Sequence, residues 1–249
     1  SAHAKTVIAG ESAADYPTIS RIEKQASFPL PSGPLLKALH LVTFSSAHTG
    51  IRPVLSGVYF NATKSGVTLV ATDSYRLSEY KLQASISGED VSCIIPTKIL
   101  DELKVMLGSK KDGKDKSKHT DKPEENTDDQ VTISLSKQQI EVQANSTTLI
   151  SRLIDGKFPN YQQILPKESS ASVVFSVHDL TTASKRLHYF AKEMNNNLTF
   201  TVGKTQTKVA TPQTPAGRDE AELQAELTGS EAKIALSSSY LLDFLSHID

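Results

Sequence analysis

The chain has 249 residues, 38% of them hydrophobic and 22% charged, with a formal net charge of −1 at neutral pH. That length and apolar fraction predict one or two globular domains with a hydrophobic core. The near-neutral balance excludes a protein that grips nucleic acid over its whole surface, because such grip is built from many Lys and Arg contacts to phosphate; a local basic lining on a neutral body stays open. No apolar run approaches the roughly 18 residues of a membrane-spanning helix, so no membrane partner is expected. Ser1-Ala2-His3-Ala4-Lys5 lacks the apolar stretch of a secretory signal. The single cysteine, Cys93, excludes an internal disulfide framework and predicts a reducing, cytoplasmic location. Without a secretory signal, the sequons at Asn61, Asn145 and Asn197 carry no weight.

The first predicted element is a helix over residues 32–45. Ser32 reads as its N-cap, Pro34 falls in its first turn, and Leu35, Leu36, Leu39 and Val42 share one face. Alternation of apolar and polar residues predicts strands over 55–63 and 66–80, joined by a turn at Lys64-Ser65-Gly66. The second run breaks at Thr72-Asp73-Ser74 and resumes, and Asp and Ser favour a tight turn there by bonding their own backbone. Cys93-Ile94-Ile95 reads as an apolar strand in which the thiol packs as a small hydrophobe. A helix follows over 96–107, with Ile99, Leu100, Leu103 and Leu107 at helical spacing. Residues 109–129 hold six Lys against seven Asp and Glu and almost nothing apolar, which reads as a disordered, solvated surface insertion. Strands over 131–135, 139–143 and 148–154 come next, so the insertion interrupts a domain rather than separating two. Asp155-Gly156 and Phe158-Pro159 carry the turn chemistry of a linker. Further helices are expected over 179–194 and 237–247.

An internal repeat organises these elements. Ile99-Leu100-Asp101-Glu102-Leu103 returns as Leu241-Leu242-Asp243-Phe244-Leu245, and Tyr16-Pro17-Thr18 as Phe158-Pro159-Asn160, each 142 residues on. Phe28-Pro29-Leu30-Pro31-Ser32 matches Phe175-Ser176-Val177-His178-Asp179 at 147 residues. In each copy a strand leads into a capped helix. The phase places Tyr16-Pro17 at the end of a unit, so the expectation is a fragment of at least three repeated units.

No catalytic set emerges. Gly108-x4-Gly113-Lys114 approaches a phosphate-binding loop, but Asp115 stands where Ser or Thr would hold magnesium, and no strand-to-helix context surrounds it. The seven His are scattered, none at zinc spacing with Cys or His, and a nucleophile elbow is lacking. An enzyme would need convergent acid, base or metal ligands that the sequence does not supply. No cofactor and no metal are expected.

Three segments carry a resemblance: Arg52-Pro53-Val54-Leu55-Ser56-Gly57, Ala71-Thr72-Asp73-Ser74-Tyr75-Arg76-Leu77, and Asp155-Gly156-Lys157-Phe158-Pro159-Asn160-Tyr161. In order and spacing they resemble the second domain of the bacterial DNA sliding clamp, the beta subunit of DNA polymerase III. Ala14-Asp15-Tyr16-Pro17 resembles the end of that family's first domain, and residues 234–249 resemble the second helix of its third. The resemblance implies an α+β DNA-clamp fold of repeated domains, each with two helices packed on antiparallel sheets. It divides the chain into a remnant of domain one at 1–26, domain two at 27–167, and domain three at 168–249, truncated before its last strands.

The function implied is that of a non-catalytic processivity factor. The full-length subunit forms a head-to-tail homodimeric ring around double-stranded DNA, helices lining the hole. Its partners are the DNA polymerase III alpha subunit, the clamp loader and other proteins bearing a clamp-binding peptide. Carried over by motif, the peptide pocket consists of Leu55, Thr72, Ser74, Tyr75, Arg76, Leu77, Pro159, Gln163 and Ile164. Leu55, Leu77, Pro159 and Ile164 supply apolar surface, Arg76 lays its stem along the cleft with its charge in water, and a C-terminal strand beyond this sequence completes the wall. Ser74, Tyr75 and Gln163 depart from the Gly, His and Arg of many relatives. Basic residues favour the predicted helices and the loop after the first, and those expected to face DNA are Lys37, His48, Arg52, Lys98, Lys185 and Arg186.

Overall fold

The computed structural model describes residues 5–16, 22–48, 52–86, 89–108, 130–215 and 217–248. The charged insertion, the Gly113-Lys114 motif, and Pro17 and Thr18 of the first repeat match lie outside the described residues.

Fourteen strands and four helices are described. In the first half they run β1 (Ala26–Pro31), α1 (Ser32–Val42), β2 (Gly57–Thr63), β3 (Gly66–Thr72), β4 (Leu77–Gln83), β5 (Val91–Pro96), α2 (Thr97–Gly108), β6 (Gln130–Leu135), β7 (Gln139–Ala144) and β8 (Thr147–Arg152). The second half contains β9 (Ala171–Phe175), α3 (Val177–Ala191), β10 (Asn197–Val202), β11 (Thr207–Ala210), β12 (Glu220–Leu223), β13 (Ala225–Gly229), β14 (Ala232–Ser237) and α4 (Ser238–Leu245). All named pairings are antiparallel.

The two halves share a strand order. The first builds one sheet as β4-β3-β2-β5, and the second builds its counterpart as β12-β11-β10-β14. Each half adds a second sheet containing its leading strand: β1-β6-β7-β8 in the first, and only β13-β9 in the second. Pro31 ends β1 and Phe175 ends β9. The sequence match of Phe28 to Phe175 is therefore out of phase, because Phe28 sits in mid-strand opposite Ile133.

The helices form where 3.6-residue periodicity meets an apolar layer. Leu35, Ala38, Leu39 and Val42 of α1 and Leu100, Leu103 and Leu107 of α2 are buried against inward residues of both first-half sheets. Phe28 and Phe60 stack between those sheets with centroids 6.2 Å apart. In the second half Ala183, Leu187 and Ala191 of α3 pack on Leu198, Phe200, Val209 and Leu223. Ser32 is the first residue of α1 rather than its cap; Pro31 occupies the cap position with no side-chain bond. The strand runs up to that proline, whose fixed φ already suits helix entry. At α3 the expected kind of cap is made, as Ser176 Oγ accepts from the Asp179 amide at 3.3 Å.

Candidate functional site

The tight turn expected within the run 66–80 is a hairpin reversal: β3 and β4 pair from Gly66↔Gln83 to Thr72↔Leu77 and leave Asp73–Arg76 as the loop. Side chains fix its shape. The Asp73 carboxylate accepts from the Tyr75 and Arg76 amides at 2.9 and 3.0 Å. The Thr72 hydroxyl accepts from the Ser74 amide at 3.1 Å and donates to the Arg76 carbonyl at 2.6 Å. Ser74 is thereby held at φ +82°, a left-handed conformation that favours glycine.

Beneath this hairpin lies an apolar cluster separate from the two main cores. Leu55, Val70, Ile94, Phe158 and Tyr161 are buried in it, and Leu77, Val54, Tyr59, Ala47 and Ile154 pack around them. The 152–163 segment is tied down to complete it. The Leu153 amide donates to the Gln138 carbonyl at 2.8 Å and the Ile154 amide to the Ile94 carbonyl at 2.9 Å. Phe158 stacks on Tyr59 at 5.3 Å, and the Tyr161 hydroxyl donates to the Glu79 carboxylate at 2.6 Å. Burial, reinforced by this bond to the anion, pushes the Tyr161 phenol up to about 12; the same bond holds Glu79 below the ordinary carboxylate value. Gly156 has φ +134°, and a Cβ there would meet Val54 Cγ1 at 2.6 Å, so the turn requires glycine.

Leu55, Thr72 and Leu77 thus come together at one place, while Ser74, Tyr75, Pro159, Gln163 and Ile164 are exposed on the hairpin loop and the linker beside it. Phe158 and Tyr161, read from sequence only as linker chemistry, form the buried base of the cluster; the signal available was a pair of aromatics three residues apart after the Asp155-Gly156 turn. A cavity of about 1690 Å3 opens along the same linker and shares Tyr59, Ile94, Phe158 and Tyr161 with the cluster. Of the expected pocket residues it includes Pro159 alone, and its lining of Glu23, Lys24, Lys81, Lys137 and Arg152 is too polar for apolar anchors.

Arg76 departs from expectation. Its guanidinium is not in water but ion-paired, through Nε to Asp73 at 3.0 Å and through Nη1 to Asp243 of α4. It stacks 4.8 Å from the Tyr240 ring and 5.3 Å from the Phe44 ring. Tyr75, although largely exposed, faces Tyr240 at 6.2 Å, and Phe44 stacks on His247 at 4.3 Å. The site is therefore also the seam between the two halves. Two carboxylates and two ring faces offset the desolvation of the partly buried cation.

The basic residues divide. Lys37 on α1, His48 after it, Lys98 on α2 and Lys185 on α3 are exposed. Arg186 is also exposed but is turned onto Asp219 at 2.9 Å and the Glu220 carbonyl at 2.7 Å, because an acidic strand start lies within its reach. Arg52 donates to Ser74 Oγ at 3.3 Å and so belongs to the hairpin. Burial and neighbouring cations lower the pKa of His40 and His188, which disfavours their charged forms at neutral pH. Among the described residues no cluster of three or more His, Cys, Asp or Glu is placed to hold a metal ion, and no helix is long and apolar enough to cross a membrane.

Two family models match the chain: DNA polymerase III beta subunit, central domain, over residues 29–119, and DNA polymerase III beta subunit, C-terminal domain, over residues 162–249. The beta sliding clamp of Synechocystis sp. is 26% identical over 252 residues, covering 96% of this chain and 61% of the relative. The beta sliding clamp of Escherichia coli is 26% identical over 234 residues, covering 94% and 59%. The crystal structure of the DNA polymerase III subunit beta from Pseudomonas aeruginosa is similar with a TM-score of 0.82 at 26% identity, covering 95% of this chain and 61% of that one. The chain therefore spans about three fifths of the length of the curated relatives it matches.

Proposed function

Because the chain belongs to the DNA polymerase III beta subunit family, we propose that it is part of a sliding clamp, a non-catalytic processivity factor that encircles duplex DNA and tethers polymerase, clamp loader and other partners through a peptide pocket. On this reading residues 27–167 are one clamp domain, residues 168–249 belong to the next, and residues 1–26 to the one before. The full-length subunit closes into a homodimeric ring in the cytoplasm.

One observation carries the reading of the pocket. The apolar cluster around Leu55, Leu77, Phe158 and Tyr161 is a rigid floor between a hydrogen-bonded hairpin and a pinned linker. Such a floor receives leucine or aromatic side chains of an extended peptide, each stabilised by roughly 25 cal/mol per Å2 of apolar surface removed from water. Exposed Tyr75, Ile164 and Leu165 give the same region apolar rims. Encirclement requires little intrinsic affinity for DNA. That agrees with the small number of exposed lysines on the helices, Lys37, Lys98 and Lys185.

The test uses the full-length subunit. A labelled clamp-binding peptide is titrated into wild type and Leu77→Lys. A charge placed over the cluster is expected to abolish binding while the circular dichroism spectrum is unchanged; equal affinities of two folded proteins remove this pocket from the account. Duplex DNA binding by the open subunit is expected to be weak, sequence-independent and steeply reduced by salt. Nanomolar, sequence-selective binding at physiological salt contradicts the reading.

A further inference from the structure

Resting on that pocket, we infer that Asp243 is a positioning residue for peptide capture, although it lies on α4 in the other half of the chain and 167 residues from the arginine it holds.

The inference follows from how little freedom Arg76 has. Its amide is fixed by the Asp73 carboxylate and its carbonyl by the Thr72 hydroxyl, so its backbone is the end of the hairpin loop. Its side chain is 14% exposed, as is that of Asp73. One carboxylate cannot satisfy a fork of five donors, and Asp243 supplies the second. The rings of Phe44 and Tyr240 then hold the guanidinium plane. Leu77, the next residue, packs on the floor of the pocket, and Tyr75, the preceding one, meets Tyr240 on the same helix. The position of α4 and the shape of the peptide cleft are therefore set by one shared cation.

Asp243 itself is turned toward this role. Its carbonyl is engaged by Ser246 Oγ and His247 Nδ1, each at 2.7 Å, which ties the end of α4 to the ring stacked on Phe44. Without the Asp243 charge, Arg76 keeps one acid and a partly buried cation with unmet donors. It is then released from its stack between Phe44 and Tyr240, and the hairpin end that carries Leu77 loses its anchor on α4. Lost charge at α4 is thus read out as lost peptide affinity, with no contact between Asp243 and the peptide required.

The experiment measures peptide binding to the full-length subunit with four variants: Asp243→Asn, Asp243→Glu, Arg76→Lys and Leu77→Lys. Contact pairs couple strongly enough that Asp243→Asn is expected to weaken binding by about tenfold. Asp243→Glu restores the anion and is expected to recover most of that loss, which a residue serving only to fill space would not do. Arg76→Lys keeps the charge but loses the planar fork, and is expected to lose affinity similarly; it carries the test if Asp243→Asn does not fold. Unchanged affinity in folded Asp243→Asn, with Leu77→Lys inactive, overturns the positioning role and leaves the pocket standing. Wild-type affinity in Leu77→Lys overturns the pocket and this inference with it.

Discussion

Strands β5 and β14 hold the same place in the two halves. Each is an edge strand beside the central strand of its sheet, β2 or β10, and each runs directly into a helix. Their surroundings differ sharply. Ile94 and Ile95 of β5 are 3% and 0% exposed, whereas Ile234 and Leu236 of β14 are 49% and 39% exposed. The leading strands differ likewise: Phe28 and Leu30 of β1 are buried, and Val174 of β9 is open to solvent. Both edge strands are apolar enough to be cored. The first half lays β6, β7, β8 and the pinned linker over its elements, with the Ile154 amide bonded to the Ile94 carbonyl. Among the described residues β9 pairs with β13 alone. Burial is thus a property of the layer laid on a strand, and the strand's own composition only makes it possible.

The sharpest test of that comparison is a pair of truncations. Ile95→Ala removes a fully buried side chain and is expected to cost about 2–5 kcal/mol in chemical denaturation, while Leu236→Ala is expected to cost less than about 1 kcal/mol. Equal losses would show that β14 is covered in solution by something these two values do not reflect.

Next in size are the hairpin glycines. Gly66, the first residue of β3, has φ +138°, and a Cβ there would stand 2.2 Å from the Leu82 carbonyl oxygen; at Gly203, after β10, the nearest atom is the Gln206 carbonyl oxygen at 3.1 Å. Gly66→Ala is expected to lose on the order of 1–3 kcal/mol through backbone strain, and Gly203→Ala clearly less. The same denaturation curves read both.

Smaller effects come from the polar pins of each half, which should fail at opposite ends of the pH scale. Tyr161 has its pKa raised from 10.0 to about 12. Its contribution is fully present below about pH 10 and is lost as pH rises through about 12. Tyr161→Phe is therefore expected to cost about 1 kcal/mol at neutral pH, with the gap to wild type closing in that alkaline window. In the second half His188 accepts from or donates to Ser238 Oγ at 2.7 Å, and its pKa is lowered below 6.5, mainly by burial and then by Lys192. A neutral imidazole is favoured in the fold, so its contribution is present above about pH 6.5 and is lost as pH falls through its lowered value. Thermal melts of His188→Gln against wild type should converge on the acid side; convergence on the alkaline side would show that the pin works through the charged form.

The four helices were legible because each needed only local periodicity, and their observed spans differ from the sequence reading by a few residues at the ends. First-half strands were legible for a related reason: β2, β3, β6 and β7 bury one or both faces in a clear pattern. Most second-half strands were not individually visible. β12 and β13 are short and largely exposed, and their sequences, Glu-Ala-Glu-Leu and Ala-Glu-Leu-Thr-Gly, carry little contrast between faces. In the site, Leu55 and Leu77 were reached through the resemblance of the segments that carry them. The partnership of Arg76 with Asp243 could not be read, since nothing local marks which of many acids will meet an arginine across the fold. For the same reason Arg186 looked free in sequence and is paired in space.

The junctions between strands and helices have a mechanical consequence. β1 hands over to α1 at Pro31-Ser32, β5 to α2 at Pro96-Thr97, and β14 to α4 at Ser237-Ser238, with no residue between; β9 and α3 are separated by Ser176 alone. Such a joint has almost no slack, so a pull or twist applied to a sheet reaches its helix within one peptide unit rather than being absorbed by a loop. The wall behaves as a stiff laminate, and compliance is left to the longer connections, such as the linker that Tyr161 and Phe158 fasten down. Under load the molecule should yield there first, by letting go of the linker before any helix slides on its sheet.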